Sequence, residues 1–134
     1  MKTSQTGPRP PAPDRRRRGQ RAWHAGRAAE DAVARVYRTR GATLLERRWR
    51  GAGGEVDLIV LENGEYVFCE VKAARDAGAA MRRLRPAQVQ RIHAAASEYL
   101  GTTPEGQLTT LRFDLATVDE TGRVDIVENA FGHF

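Results

Sequence analysis

Two β-favouring runs, Glu55 to Glu62 and Glu65 to Lys72, flank the dipeptide Asn63-Gly64. Asn-Gly between such runs is the strongest short-range signal for a two-residue hairpin turn. Both runs are apolar on both alternating sides. Val56, Leu58 and Val60 share one side with Val67, Cys69 and Val71, while Ile59 and Leu61 share the other with Tyr66 and Phe68. Strands of that kind belong in the middle of a sheet covered on both faces, so the rest of the chain has to supply edges and cover.

Helical periodicity supplies the cover. Within residues 22–40, Ala29, Val33, Val36 and Tyr37 recur at helical spacing ahead of Gly41, where a left-handed C-terminal cap would sit. Pro86 opens a second helix, with Val89, Ile92, Ala96, Tyr99 and Leu100 on one face and Gly101 as its stop. Residues 42–50 read as a strand closed by the turn Gly51-Ala52-Gly53-Gly54, residues 73–85 as a loop, and residues 108–118 and 124–127 as two more strands. The order predicts an α/β fold, a mixed central β-sheet flanked by helices.

A two-residue turn at 63 and 64 pairs positions whose numbers sum to 127, which sets Asp57 opposite Glu70 and Glu55 opposite Lys72. All four side chains then point from one face, at the end of the hairpin away from its turn. Like charges placed directly opposite destabilise a sheet. Three things offset that: one carboxyl keeps its proton, Lys72 neutralises part of the charge, or a divalent cation such as magnesium lies between two oxygen ligands.

Lys72 stands out by usage. The chain has 20 arginines and two lysines, so an ordinary solvated cation would here be written as arginine, whereas an ammonium can act as a proton acceptor or a point charge beside an attacking water. The plain alternative is a strand-end lysine balancing Glu70 and Glu55. Glu30 lies beside the apolar stripe of the first helix, one turn from Ala34, so it either points to the charged end of the sheet or is solvated. His24, His93 and His133 show no ligand spacing with each other or with Cys69, which argues against zinc. Cys69 reads as a small buried hydrophobe, and Asp114 as part of a structural hydrogen-bond network.

Charge is unevenly distributed. Residues 1–21 hold seven basic residues against Asp14 and read as a disordered basic arm, which leaves residues 22–134 as a single, nearly neutral domain. Residues 72–91 carry Lys72, Arg75, Arg82, Arg83, Arg85 and Arg91 against Asp76, a basic loop suited to phosphate, and Arg47, Arg48 and Arg50 at the end of the first strand would add cations around it, unless all of these are solvated arginines on exposed faces. One cysteine excludes an internal disulfide. No apolar run approaches the roughly 20 residues of a membrane span, and no apolar stretch follows the arm as in a signal peptide. A cytoplasmic protein without membrane contact is expected.

Four separated motifs occur in order: Gly26-Arg27-Ala28-Ala29-Glu30, Gly54-Glu55-Val56-Asp57-Leu58-Ile59, Val67-Phe68-Cys69-Glu70-Val71-Lys72 and Arg112-Phe113-Asp114. From about residue 22 onward the chain resembles the YraN-like family of small uncharacterised bacterial proteins. That family is similar to the PD-(D/E)XK nuclease superfamily, most closely to archaeal-type Holliday-junction resolvases. The resemblance implies a restriction-endonuclease-like core in which Asp57 and Glu70 hold magnesium or manganese, with the Val71 carbonyl toward the metal. Lys72 would be the catalytic lysine and Glu30 the helix carboxylate completing the site, with Glu55 beside it. Where the family pattern often carries a lysine early in the second helix, this chain has Gln88, which would orient a water or a phosphate.

The expected activity is metal-dependent endonucleolytic hydrolysis of nucleic acid, DNA rather than RNA, in recombination or repair. Arg75, Arg82, Arg83, Arg85 and Gln88 would engage the nucleic acid. A resolvase-like cutter needs a symmetric pair of sites, for which a homodimer is the natural form. The alternatives are a nucleic-acid-binding module with the nuclease fold and no turnover, and a protein-interaction domain.

Overall fold

The hairpin forms as its turn signal requires. In the computed structural model, which describes residues 15–132 and gives residues 15–25 and 107 by backbone only, β2 (Glu55–Glu62) and β3 (Glu65–Ala73) run antiparallel. Leu58 lies opposite Cys69, Ile59 opposite Phe68 and Glu62 opposite Glu65. Asn63 and Gly64 take φ of +52° and +78°, the left-handed pair that a type I′ turn demands.

β1 (Thr43–Arg50) pairs antiparallel with β2, β4 (Leu111–Val118) pairs parallel with β3, and β5 (Val124–Val127) pairs antiparallel with β4. The sheet order is β1-β2-β3-β4-β5, so the two strands apolar on both sides are interior. A parallel pair needs a long crossover, made by α2 (Ala77–Arg83) and α3 (Pro86–Leu100). Val89, Ile92, Ala96 and Leu100 of α3 pack with Ile59, Phe68 and Leu115 on one face of the sheet. On the other face, Val33, Ala34 and Tyr37 of α1 (Arg15–Thr39) pack with Leu58, Val60, Val67 and Cys69. The result is a mixed five-stranded sheet between helices, consistent with a nuclease-like core.

The structure departs from the sequence reading in four places. α1 begins at Arg15, inside the segment read as a disordered arm, because arginine is a good helix former and no proline follows Pro13 in this stretch. Residues 1–14 of the arm lie outside the described residues. Residues 73–85 are not a continuous loop, since Asp76 caps α2 by accepting the Ala79 N–H at 2.8 Å. The segment expected to start a strand at Leu108 instead makes a 3-10 turn over Gly106–Leu108, and β4 starts at Leu111. The buried stripe of α1 uses Ala34, with Val36 half-buried.

Charged side chains close the turn end of the hairpin. Arg112 meets Glu62 at 2.6 Å and both Glu65 and Asp114 at 3.0 Å, and Arg40 meets Glu62 at 2.8 Å. Asp114, fully buried, also accepts the Tyr37 hydroxyl at 2.7 Å and the Asn129 N–H at 3.0 Å. This is the structural network expected of Asp114, and burial together with its negative neighbours pushes the Tyr37 hydroxyl well above its ordinary range.

Candidate functional site

At the opposite end the hairpin opens. The register that sums to 127 holds from the turn to the Leu58–Cys69 pair and stops there, one step short of Asp57 and Glu70, while β3 stays paired with β4 as far as Ala73. Two facing carboxylates explain the break, because their repulsion opposes the close approach that a further pair requires. Asp57 Oδ2 instead accepts the backbone N–H of Val71 at 2.9 Å, so a side chain takes a donor at the place where the ladder ends.

Asp57 and Glu70 meet residues of α3; Val56, expected on the side of Leu58 and Val60, packs instead with Ile59 and Phe68, so the alternation of β2 is broken around Asp57. Glu55, Asp57 and Glu70 meet Gln88, Arg91 and Ile92 of α3 around a cleft of about 190 Å³. Helical spacing explains the α3 contribution. Val89 and Ile92 are buried, which swings Gln88 and Arg91, three residues apart, to the edge of the same face.

Gln88 donates Nε2 to Glu70 Oε2 at 2.7 Å, and Lys72 Nζ reaches the same oxygen at 3.0 Å. Protein donors thus engage Oδ2 of Asp57 and Oε2 of Glu70 and set the orientation of each carboxylate; a cation would draw on Oδ1 and Oε1. Burial first, and then the charge and hydrogen-bonding proximity of Glu70, push the Asp57 carboxyl up to about 7, against the lowering effect of the Val71 N–H and Lys72. An acid in that state shares a proton readily or gives it up to a cation.

The donor set is made of oxygens, which suits a hard divalent cation. Among the described residues no third Asp, Glu, His or Cys completes a metal-holding group. Two carboxylates nevertheless fit magnesium, which commonly takes one or two and fills its octahedron with water and substrate phosphate. Val71 enters the site through its N–H. Glu55 lines the cleft, but its carboxylate pairs with Arg50 at 3.1 Å and not with Lys72, since the strands have separated before that position.

Other expected residues lie elsewhere. Glu30 is 4% exposed and does not line the cleft; both its oxygens take the Nε of Arg48 at 3.0 Å. Arg75, Arg82, Arg83 and Arg85 are exposed. Arg75 pairs with Asp76 at 3.2 Å, and Arg83 donates to the Ala73 carbonyl at 2.8 Å. Arg75 and Arg83 line a separate, larger groove of about 690 Å³ with Val118, Asp119 and Thr121. That groove holds neither cleft carboxylate.

The basic segments hold two arginines whose places the sequence reading left unassigned. Arg91 joins the cleft, and its spacing from Gln88 was the available signal. Arg48 pairs with Glu30 although φ is +50°, a backbone state costing a non-glycine residue about 1–2 kcal/mol. The signal was the Gly51–Gly54 turn: β1 and β2 pair across it with Arg50 opposite Glu55 and Trp49 opposite Val56, which sets Arg48 across from Asp57.

A mixed sheet between helices, with two carboxylates and a lysine at the fork where β2 and β3 part, defines a class of small α/β proteins with an acidic cleft. Residues 29–118 match the model of an uncharacterised protein family, UPF0102. The chain belongs to that family. It is 55% identical over 116 residues to a UPF0102 protein of Ruegeria pomeroyi, covering 87% of this chain and 94% of that one. A UPF0102 protein of Cereibacter sphaeroides is 52% identical over 113 residues, with 84% and 97% covered. Among the described residues no helix is long and apolar enough to cross a membrane.

Proposed function

We propose that this chain is a metal-dependent endonuclease-like hydrolase of nucleic acid. The observation that carries the proposal is the convergence of Asp57, Glu70 and Lys72 at the fork of β2 and β3, with Lys72 Nζ 3.0 Å from Glu70. Asp57 and Glu70 would hold magnesium or manganese; such an ion, when bound, supplies Lewis-acid stabilisation of charge on a phosphodiester and lowers the pKa of water.

The chain's own residues do the rest. The Val71 N–H and the Gln88 amide fix the two carboxylates, which face one another at a cost in repulsion. Lys72 places a positive charge beside them, where it stabilises charge building on phosphate oxygens or takes a proton from an attacking water. Water adds to phosphorus, the P–O ester bond breaks and the leaving oxygen takes a proton. Arg91 in the cleft and the exposed arginines of residues 75–85 add positive charge along the approach, which favours a polyanion. DNA fits this reading as the substrate, in recombination or repair, with a homodimer as the working form and the cytoplasm as its place.

The test uses the metal before any substrate. Manganese titrated into the purified protein should give a bound electron paramagnetic resonance signal, which Asp57→Ala and Glu70→Ala each weaken at least tenfold while circular dichroism stays unchanged. Branched and linear DNA are then screened for cleavage. Manganese binding indifferent to both substitutions would refute the site. Salt-sensitive DNA binding without cleavage, unaffected by Asp57 and Glu70, would favour the same fold acting as a non-cleaving binder.

A further inference from the structure

Arg48 combines three properties that neutralising Glu30 alone does not require. Its φ of +50° is left-handed, in the middle of a strand whose neighbouring residues, Arg47 and Trp49, keep their partners Leu58 and Val56. The same register sets it across from Asp57. Its Nε lies 3.0 Å from both oxygens of Glu30, which is 4% exposed, yet the arginine side chain itself remains 38% exposed.

A buried acid needs a cation, but an arginine in ordinary extended backbone would serve. Strained backbone is kept where the surrounding structure or a function over-determines it. Here the strained residue is the one that the β1–β2 register sets opposite Asp57, with its guanidinium turned to Glu30 of α1. A guanidinium held at Nε by a buried carboxylate is fixed in orientation while part of it still meets solvent. A fork so prepared matches the two oxygens of a phosphate. Glu30 first, and then Asp57 and Glu55, act to keep this guanidinium charged against partial burial.

We propose that Arg48 is a phosphate contact of the cleft, gripping a backbone phosphate of bound nucleic acid beside Asp57 and Glu70, with Glu30 as the positioning residue that holds its guanidinium. This rests on the function proposed above and adds to it a specific substrate contact. Glu30 thereby serves the site through Arg48 and not by touching a cation.

The test is binding of a fluorescein-labelled DNA duplex to the full chain in chelator, followed by anisotropy across a potassium chloride series. Wild type should bind with a steep salt dependence. Arg48→Ala should weaken binding about tenfold and make the slope of log affinity against log salt shallower by about 0.9, the share of one phosphate contact. Arg48→Lys should keep the slope and lose less affinity. Arg123→Ala, at the exposed β4–β5 turn, should change neither.

The double variant Arg48→Ala/Glu30→Gln removes the buried charge together with its partner, so it separates folding from binding. It should stay as weak as Arg48→Ala. If it regains the wild-type affinity and slope, Arg48 merely neutralises Glu30 and the proposal fails. If Arg48→Ala keeps the wild-type slope, or Arg123→Ala lowers it equally, the proposal also fails while the endonuclease reading stands. A wild type that binds no duplex at low salt overturns both.

Discussion

Asp57 illustrates how a single residue sets both a chemical state and a stability cost. Its carboxyl titrates near 7 in the folded protein and near 3.8 when free, so between those values the native state holds a proton that the unfolded chain has released. Stability of the metal-free protein must then fall as pH rises from about 4 to 7 and level off above that. Asp57→Asn keeps the shape and removes the ionisable group. The variant should unfold at higher urea than wild type at pH 8, by about 1–3 kcal/mol, and should lose the slope over that window. Urea titrations across pH in chelator check this; a variant less stable than wild type at pH 8 would contradict the assignment of burial and Glu70 as the source of the shift. Glu62 behaves oppositely: burial works to raise it, but the guanidiniums of Arg112 and Arg40 hold it below the usual carboxylate range.

The β1–β2 turn and α3 act as a pair of elements that fix the cleft wall. Glu98 accepts the N–H of Ala52 at 2.9 Å, and the turn lies so close to α3 that a Cβ on Gly54 would collide with the Arg91 carbonyl, whereas one on Gly51 would meet only the Glu98 carboxylate. A carbonyl of a helix cannot step aside, but a side-chain end can. Gly54→Ala should therefore cost about 1–3 kcal/mol and disturb Arg91, while Gly51→Ala should cost clearly less; thermal melts of the two variants decide, and equal losses would count against this geometry. At this scale the sequence was partly legible. Asn63-Gly64 fixed the hairpin register, and with it the approach of Asp57 to Glu70, because turn type and pleat leave no freedom. α2 was missed because seven residues containing Gly78 carry too little periodicity, and its Asp76 cap is a local hydrogen bond that hydrophobic spacing does not encode. The pairing of Arg48 with Glu30 was missed because a left-handed residue within a strand breaks the alternation on which facing is judged.

Across the whole molecule the sheet has a closed end and an open one. Arg112 ties the hairpin turn to β4 through Glu62, Glu65 and the fully buried Asp114, and its own charge is held well above the ordinary range, against burial, by those carboxylates. Arg112→Ala would leave the fully buried Asp114 without its cation and Glu62 with Arg40 alone, a loss of about 3–5 kcal/mol, readable as a large drop in melting temperature; a drop of only a degree or two would show that the network carries little. At the other end, β2 stays with β1 and β3 stays with β4 after the two part company beyond Leu58 and Cys69. Two carboxylates that repel one another there set a cost in folding against the bonds they take from Val71, Gln88 and Lys72. Selection for stability alone favours neutral residues at Asp57 and Glu70, so on the function proposed above a lineage that uses the cleft should keep both acids and one that abandons it should lose them.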